Sequence, residues 1–212
     1  MALKLGEKIL KDMYLGDKRI VKAYYNNKLV FEADKPRFVE YIEFDGASYI
    51  NTGLFPNSNW RIESVWLATV NYKSIYSSNA QFKRIFGRTA GGIWWFGNST
   101  VASNTTKLPL NTVNTTVQDK NGVIFNGVSY AYDKQVDEFD ASSHSLYLGA
   151  LSGDSSASFE GRIYDFKISD NDVLIQHLRP CLQGNTPCMY DMVTGKYFYN
   201  QGTGEFKYGG LV

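Results

Sequence analysis

The chain has 212 residues and a mass of 23.9 kDa, room for one domain, or one domain with a small appendage, and not for a multidomain assembly. Its 43% hydrophobic and 20% charged residues supply a core and exclude global disorder, and a formal charge of +1 removes the field that a dedicated nucleic-acid binder needs. Two Cys and two His exclude a disulfide framework and any Cys/His zinc cluster beyond the bare minimum of four ligands, while 15 Tyr, 13 Phe, 4 Trp and 19 Gly against only 5 Pro favour strands joined by polar turns.

The first residues carry charges (Lys4, Glu7, Lys8, Lys11, Asp12) and lack the apolar stretch of a secretion signal, so the expectation is synthesis and initial residence in a cytoplasm. Apolar runs such as Ile93-Trp94-Trp95-Phe96 are too short to span a bilayer as a helix. Residues 1–36 repeat on a ten-residue period. Leu5-Gly6-Glu7-Lys8, Leu15-Gly16-Asp17-Lys18 and Tyr25-Asn26-Asn27-Lys28 lie in register, each followed by a short apolar stretch. Turn residues at that interval predict a small β-meander of tight hairpins, with a helix over residues 4–14 as the competing reading. This segment holds eight basic and five acidic residues, a surplus of +3 that leaves −2 for the remainder. Its alternating charges read as a solvated small sheet, or as a basic module that docks the chain onto an acidic partner through Tyr14, Arg19, Tyr24 and Tyr25. Ala33-Asp34-Lys35-Pro36 forms the linker.

Residues 37–212 read as a second unit built of short strands. Tyr41–Asp45, Ile62–Leu67, Val123–Phe125, Val128–Tyr132 and Ser145–Leu148 alternate apolar and polar residues or run apolar between Gly, Asn and Asp. The fold class is all-β, a two-sheet antiparallel jelly-roll sandwich with the small N-terminal module before it. The polar tract from Asn98 to Thr116 has little core-forming content and reads as a surface loop or an edge. Within Ile163–Ile168, simple alternation sets Ile163 on one face with Asp165 and Lys167, and Tyr164, Phe166 and Ile168 on the apolar one.

Three patterns together resemble a known family: Asn121-Gly122-Val123-Ile124-Phe125-Asn126-Gly127-Val128, then Leu146-Tyr147-Leu148-Gly149-Ala150, then Phe159-Glu160-Gly161-Arg162-Ile163-Tyr164-Asp165-Phe166-Lys167-Ile168. Their order is similar to the laminin-G-like, or concanavalin-like, jelly roll, and Tyr41–Gly53 resembles that family's first strands. The ending, from Met189-Tyr190-Asp191 through Tyr199-Asn200 to Glu205-Phe206, resembles a variant frequent in bacteriophage virion proteins and in surface proteins of gut bacteria. The N-terminal repeats are similar to short β-modules of phage tail-associated proteins.

The resemblance implies carbohydrate as a ligand, with Trp94, Trp95, Trp60 and Tyr76 as candidate ring platforms and Trp66 and Tyr72 behind them. Calcium, held by loop oxygens at Ser169-Asp170-Asn171-Asp172 or Gly153-Asp154, is implied as a cofactor only weakly, because no EF-hand spacing accompanies those residues. Catalysis is not expected. Glu43 and Asp45 share a strand face while Glu40 lies on the other, without the paired carboxylates of a glycosidase. Asp137, Glu138 and Asp140 read as a solvated turn, and neither His144 nor His177 adjoins a nucleophile pattern. Cys181 and Cys188 flank a six-residue loop, staying thiols in a cytoplasm and pairing in an oxidising exterior.

The leading expectation is a non-enzymatic structural protein of a bacteriophage virion, assembled in the host cytoplasm. It docks by its N-terminal module and displays a jelly roll toward other virion proteins or host-surface glycans, in a symmetric homo-oligomer without nucleic-acid contact or membrane insertion. The alternative is a carbohydrate-binding module or adhesin of a gut bacterium, and a weaker one is a glycoside hydrolase.

Overall fold

A computed structural model describes residues 4–5, 8–9, 13–15, 18–20, 22–32, 35–70, 74–78, 85–88, 93–98, 100–107, 109–131, 144–150 and 159–212, and its account of 4–5, 8–9, 13–14, 18–19, 29–32, 85–88, 93–98 and 100–107 is of the backbone. Six short strands come first: β1 (Lys4–Leu5), β2 (Lys8–Ile9), β3 (Met13–Leu15), β4 (Lys18–Ile20), β5 (Lys22–Tyr25) and β6 (Lys28–Glu32). They pair two by two as three hairpins, each its own two-stranded sheet. Asn26 and Asn27 turn the third hairpin with φ of 46° and 60°, the conformation a tight two-residue loop demands.

Seventeen strands follow: β7 (Arg37–Phe38), β8 (Ile42–Asp45), β9 (Ile50–Asn51), β10 (Trp60–Ala68), β11 (Ser74–Ser77), β12 (Ile85–Arg88), β13 (Ile93–Asn98), β14 (Thr100–Lys107), β15 (Asn114–Asp119), β16 (Gly122–Phe125), β17 (Val128–Ala131), β18 (Tyr147–Leu148), β19 (Glu160–Asp170), β20 (Val173–Gln183), β21 (Thr186–Asp191), β22 (Tyr197–Phe198) and β23 (Lys207–Tyr208). They make two antiparallel sheets. The larger, of eleven strands, runs β17-β16-β15-β10-β19-β20-β21-β22, with β7 beside β20 and β8 between β19 and β23; the smaller, of six, runs β14-β13-β12-β11-β18-β9. The described chain is an all-β sandwich, as the alternation and turn spacing predict.

The core lies between these sheets. Along β10, Trp60, Ile62, Ser64, Trp66 and Ala68 are buried while Arg61, Glu63, Val65 and Leu67 are half-buried on the other side, the period of two that a one-sided core imposes. Tyr76 on β11 meets Phe166 on β19 edge to face, with ring centroids 5.7 Å apart. Phe44 similarly joins Phe206 at 4.8 Å.

Two departures from simple alternation have physical causes. Register shifts between Val65 and Trp66, so that Val65 faces Asp165 and Trp66 faces Ile163, with Tyr164 as the extra residue of a β-bulge. Ile163 therefore joins Phe166 and Ile168 in the core, each 0% exposed, and Tyr164 is half-buried instead. The polar tract is the second departure. Its first half forms β14 at the edge of the smaller sheet, but Asn114 and Thr116 enter β15 and turn inward, buried. Thr116 Oγ1 lies 2.6 Å from Ser64 Oγ and accepts from Trp66 Nε1 at 3.3 Å, and Asn126 Nδ2 donates to Asn114 Oδ1 at 3.0 Å. Mutual hydrogen bonding lets these polar groups leave water.

Gly161 explains the Phe159-Glu160-Gly161 pattern. At φ 151°, a Cβ there would stand 2.0 Å from Leu67 O and 2.6 Å from the Phe159 ring. Gly161→Ala is expected to cost about 3 kcal/mol, combining overpacking with backbone strain, and urea unfolding measures it. Asp45 offers a pH test. Burial pushes its carboxyl up, but N–H donors of Glu205 (2.8 Å) and Ala47 (3.0 Å) and the Ser48 hydroxyl outweigh burial and hold it below the ordinary value. Stability from this group is thus full above the unfolded carboxylate value of about 4 and is lost as pH falls through the lower folded value. Asp45→Asn is expected to be less stable than the parent at pH 7, and the gap should narrow in thermal melts as pH falls below about 4.

Candidate functional site

The outer face of β20, β21 and β22 collects aromatic rings. Gly184 and Asn185 form the two-residue loop between β20 and β21, setting Gln183 opposite Thr186, Cys181 opposite Cys188 and Arg179 opposite Tyr190. β22 continues the sheet with Tyr197 opposite Tyr190, and β7 sets Phe38 opposite Cys181. Residues directly opposite share a face. Leu178, Leu182 and Met189 therefore point to the core, at 0%, 3% and 0% exposure, while Phe38, Arg179, Tyr190 and Tyr197 look outward and remain half-buried.

The rings touch in a continuous stripe. Phe38 and Tyr190 are 6.2 Å apart at 70°, Tyr190 and Tyr197 5.0 Å at 57°, and Tyr197 and Tyr199 6.4 Å at 30°. At one end the Arg179 guanidinium lies 4.4 Å from the Phe38 centroid. At the other, Tyr199 is 40% exposed and donates its hydroxyl hydrogen to Gln183 Oε1. A hollow of about 300 Å³ opens beside it, lined by Thr186, Pro187, Tyr199, Asn200, Gly204, Glu205 and Phe206. Asn200 is the brace of this loop: Oδ1 accepts from Tyr49 N–H (3.1 Å) and Gly202 N–H (2.8 Å), and Nδ2 donates to Gly204 O. The Thr186 hydroxyl and Glu205 carboxylate on the rim have no hydrogen-bond partner among the described residues.

A buried carboxylate brings β22 back beside β21. Asp191 is 1% exposed and accepts from His177 N–H (2.9 Å), Val193 N–H (3.0 Å) and the Thr194 hydroxyl (2.7 Å). Its carbonyl accepts from Gly195 N–H at 2.8 Å, and its N–H donates to Lys196 O at 2.8 Å. These bonds close the turn that places Tyr197 against Tyr190.

The site residues predicted from sequence are mostly elsewhere. Trp60 and Tyr76 are core residues, 2% and 0% exposed, so neither offers a ring face to a sugar; their size drew them to the space between the sheets. Trp66 is likewise buried. Trp94 and Trp95 lie on β13, opposite Arg88 and Gly87, with side chains outside the described residues, as is Tyr72 altogether. Tyr14 and Arg19 face each other across β3 and β4, again with side chains outside the described set, whereas Tyr24 and Tyr25 are 61% and 71% exposed. Glu43 is ion-paired with Arg162 at 2.8 Å, and His177 Nε2 lies 2.6 Å from Asp165 Oδ1. Asp170 accepts from Asn57 Nδ2 (2.9 Å), and Asn171 and Asp172 form the β19–β20 turn with φ of 46° and 63°. Gly153 and Asp154 lie outside the described residues, as do Asp137, Glu138 and Asp140. Among the described residues, no group of three or more His, Cys, Asp or Glu is placed to hold a metal ion.

Cys181 and Cys188 lie beneath the stripe as free thiols, both 0% exposed, with sulfurs 3.3 Å apart. Their mutual contact and burial push the Cys181 thiol far up, which suppresses the nucleophilic thiolate. Native, reduced protein is expected to resist a thiol-specific chromogenic reagent and to release two equivalents on unfolding. Rapid reaction of the native protein would contradict the buried placement.

No protein-family profile matches this chain, and no curated protein matches it. Among solved structures it is similar to a candidate carbohydrate-binding protein from Bacteroides ovatus, with 15% identity and a TM-score of 0.61 over 87% of this chain. The chain spans 62% of that protein's length. At this identity the likeness is one of fold, and with the two antiparallel sheets it fits a jelly-roll-like domain. Nothing in these matches bears on bacteriophage particles, so the virion expectation gains no support from them.

Proposed function

We propose that the chain is a non-enzymatic carbohydrate-binding domain that uses the Tyr190–Tyr197–Tyr199 stripe as its platform. The observation behind this reading is a run of touching, partly exposed rings that leads into a hollow rimmed by a hydroxyl, a carboxylate and backbone groups. A pyranose presents an apolar C–H face and a polar edge. Rings remove the first from water while rim groups bond the second. The fold neighbour's assignment to carbohydrate binding agrees with this.

Binding without turnover suits the carboxylates near the stripe. Glycosidic cleavage takes two of them across one bond, whereas Asp191 is buried and held by three donors and the Asp45 carboxylate beside Glu205 is taken by the N–H groups of Ala47 and Glu205, which leaves Glu205 on the rim without a partner. The N-terminal hairpins, with Tyr24 and Tyr25 outward, serve in this reading as the mount that contacts another protein.

Affinity electrophoresis against a panel of soluble plant, algal and bacterial polysaccharides tests the reading. Tyr197→Ala and Tyr199→Ala are each expected to weaken binding about tenfold, the worth of one buried aromatic contact, with Tyr24→Ala and Tyr25→Ala unchanged. Undiminished binding by both stripe variants would remove the stripe from the site, and retardation by no polysaccharide would overturn the function.

A further inference from the structure

Three cations on the outer face of the larger sheet are neutralised by a neighbour. Arg61 pairs with Glu63 at 2.8 Å, Arg162 with Glu43 at 2.8 Å, and Lys167 with Asp165 at 3.1 Å. Arg179, like Lys207 on β23, has no ion pair among the described residues, and it stands at the head of the stripe. Its strand neighbours on the same face are His177, which is already bound to Asp165, and Cys181; across the ladder it meets Tyr190. The nearest carboxylate in sequence on β21, Asp191, points inward and is taken by three donors.

A strand surface could have compensated this charge, as it did at three other positions. Instead Arg179 lies on the Phe38 ring at the head of the stripe. Its guanidinium N–H donors have no hydrogen-bond partner among the described residues, and such a fork matches a carboxylate with two parallel bonds. The residues from 37 onward have a net charge of −2, so no general positive field draws anions there.

We propose that the stripe reads an acidic polysaccharide. The carboxylate of a uronic acid unit is held by Arg179, and the C–H faces of that sugar and its neighbours lie on Tyr190, Tyr197 and Tyr199. This deepens the carbohydrate-binding reading and rests on it. The hollow beside Tyr199, with Glu205 on its rim, takes an uncharged part of the chain, since a second carboxylate there meets a like charge.

The test compares polygalacturonate, alginate and glucuronoxylan with their methyl-esterified or carboxyl-reduced counterparts, by isothermal titration with the full-length chain. The acidic form of at least one is expected to bind about tenfold more tightly than its neutral counterpart, as one charge-assisted pair provides. Salt should weaken it by the modest slope of a single contact. Arg179→Gln is expected to abolish the preference, so that acidic and neutral forms bind alike, and Arg179→Lys, which keeps the charge without the fork, to retain only part of it. Tyr197→Ala should weaken both forms alike. Equal affinity for acidic and neutral forms, or a preference that survives Arg179→Gln in folded protein, overturns the proposal and leaves the carbohydrate reading standing. Binding to none of these glycans while a neutral polysaccharide of the wider panel is bound also overturns it, whereas silence across that panel removes the carbohydrate reading itself.

Discussion

An antiparallel ladder gives every side chain one of two destinations, and a slip of one residue exchanges them all. In this protein the constraint is sharpest in the hairpin of β20 and β21. Its two-residue loop sets Gln183 against Thr186, and everything above that pair follows. Leu182, Met189 and Leu178 go to the core, and Cys181, Cys188, Arg179 and Tyr190 to the outer face. Shifted by one position, the arginine and tyrosine would enter the sandwich without partners and the leucines would face water. Pro180 fits this register too. Its carbonyl accepts from Val39 N–H at 3.1 Å on the side toward β7, so the missing N–H falls where the ladder is only two residues long.

Much of the fold was legible because burial on one face writes itself as alternation. Trp60 to Glu63 alternates apolar and charged residues, and Asn-Gly and Gly-rich turns mark where strands end. What stayed hidden depended on events between strands. The bulge at Tyr164 reverses which of Ile163 and Tyr164 is inward, and one strand read alone gives no notice of it. Asn114 and Thr116 read in sequence as part of a surface loop or an edge because composition cannot show that Ser64, Trp66 and Asn126 wait to hydrogen-bond them. Trp60 and Tyr76 were attractive as sugar platforms for the same property that buried them, a large apolar surface.

The stripe itself was nearly invisible in the sequence. Phe38 comes from β7 and Tyr190, Tyr197 and Tyr199 from β21 and the residues after it, far apart in the sequence, and only the fork of β20 between β7 and β21 brings them together. Tyr197 and Tyr199 at a spacing of two share a side in an extended segment, a cue that was available. Tyr190 joins them through the Asp191 turn, whose five hydrogen bonds are tertiary facts.

Those contacts also bear on how the face can bind. Ordering an exposed tyrosine costs rotamer entropy at the moment of association. Here Tyr190 is flanked by Phe38 and Tyr197, Tyr197 by Tyr199, and the last hydroxyl is tied to Gln183. The floor beneath is two buried thiols between strands whose register is closed at both ends, by the Gly184–Asn185 loop and by the Asp191 turn. A ligand would therefore meet rings already arranged, and more of its contact free energy would appear as affinity. The same packing narrows what can bind. Rings tilted at 57° and 70° present a ridged surface rather than a flat one, which, on the carbohydrate-binding reading proposed above, suits a chain whose successive sugars tilt against one another better than a sheet-like crystalline polymer.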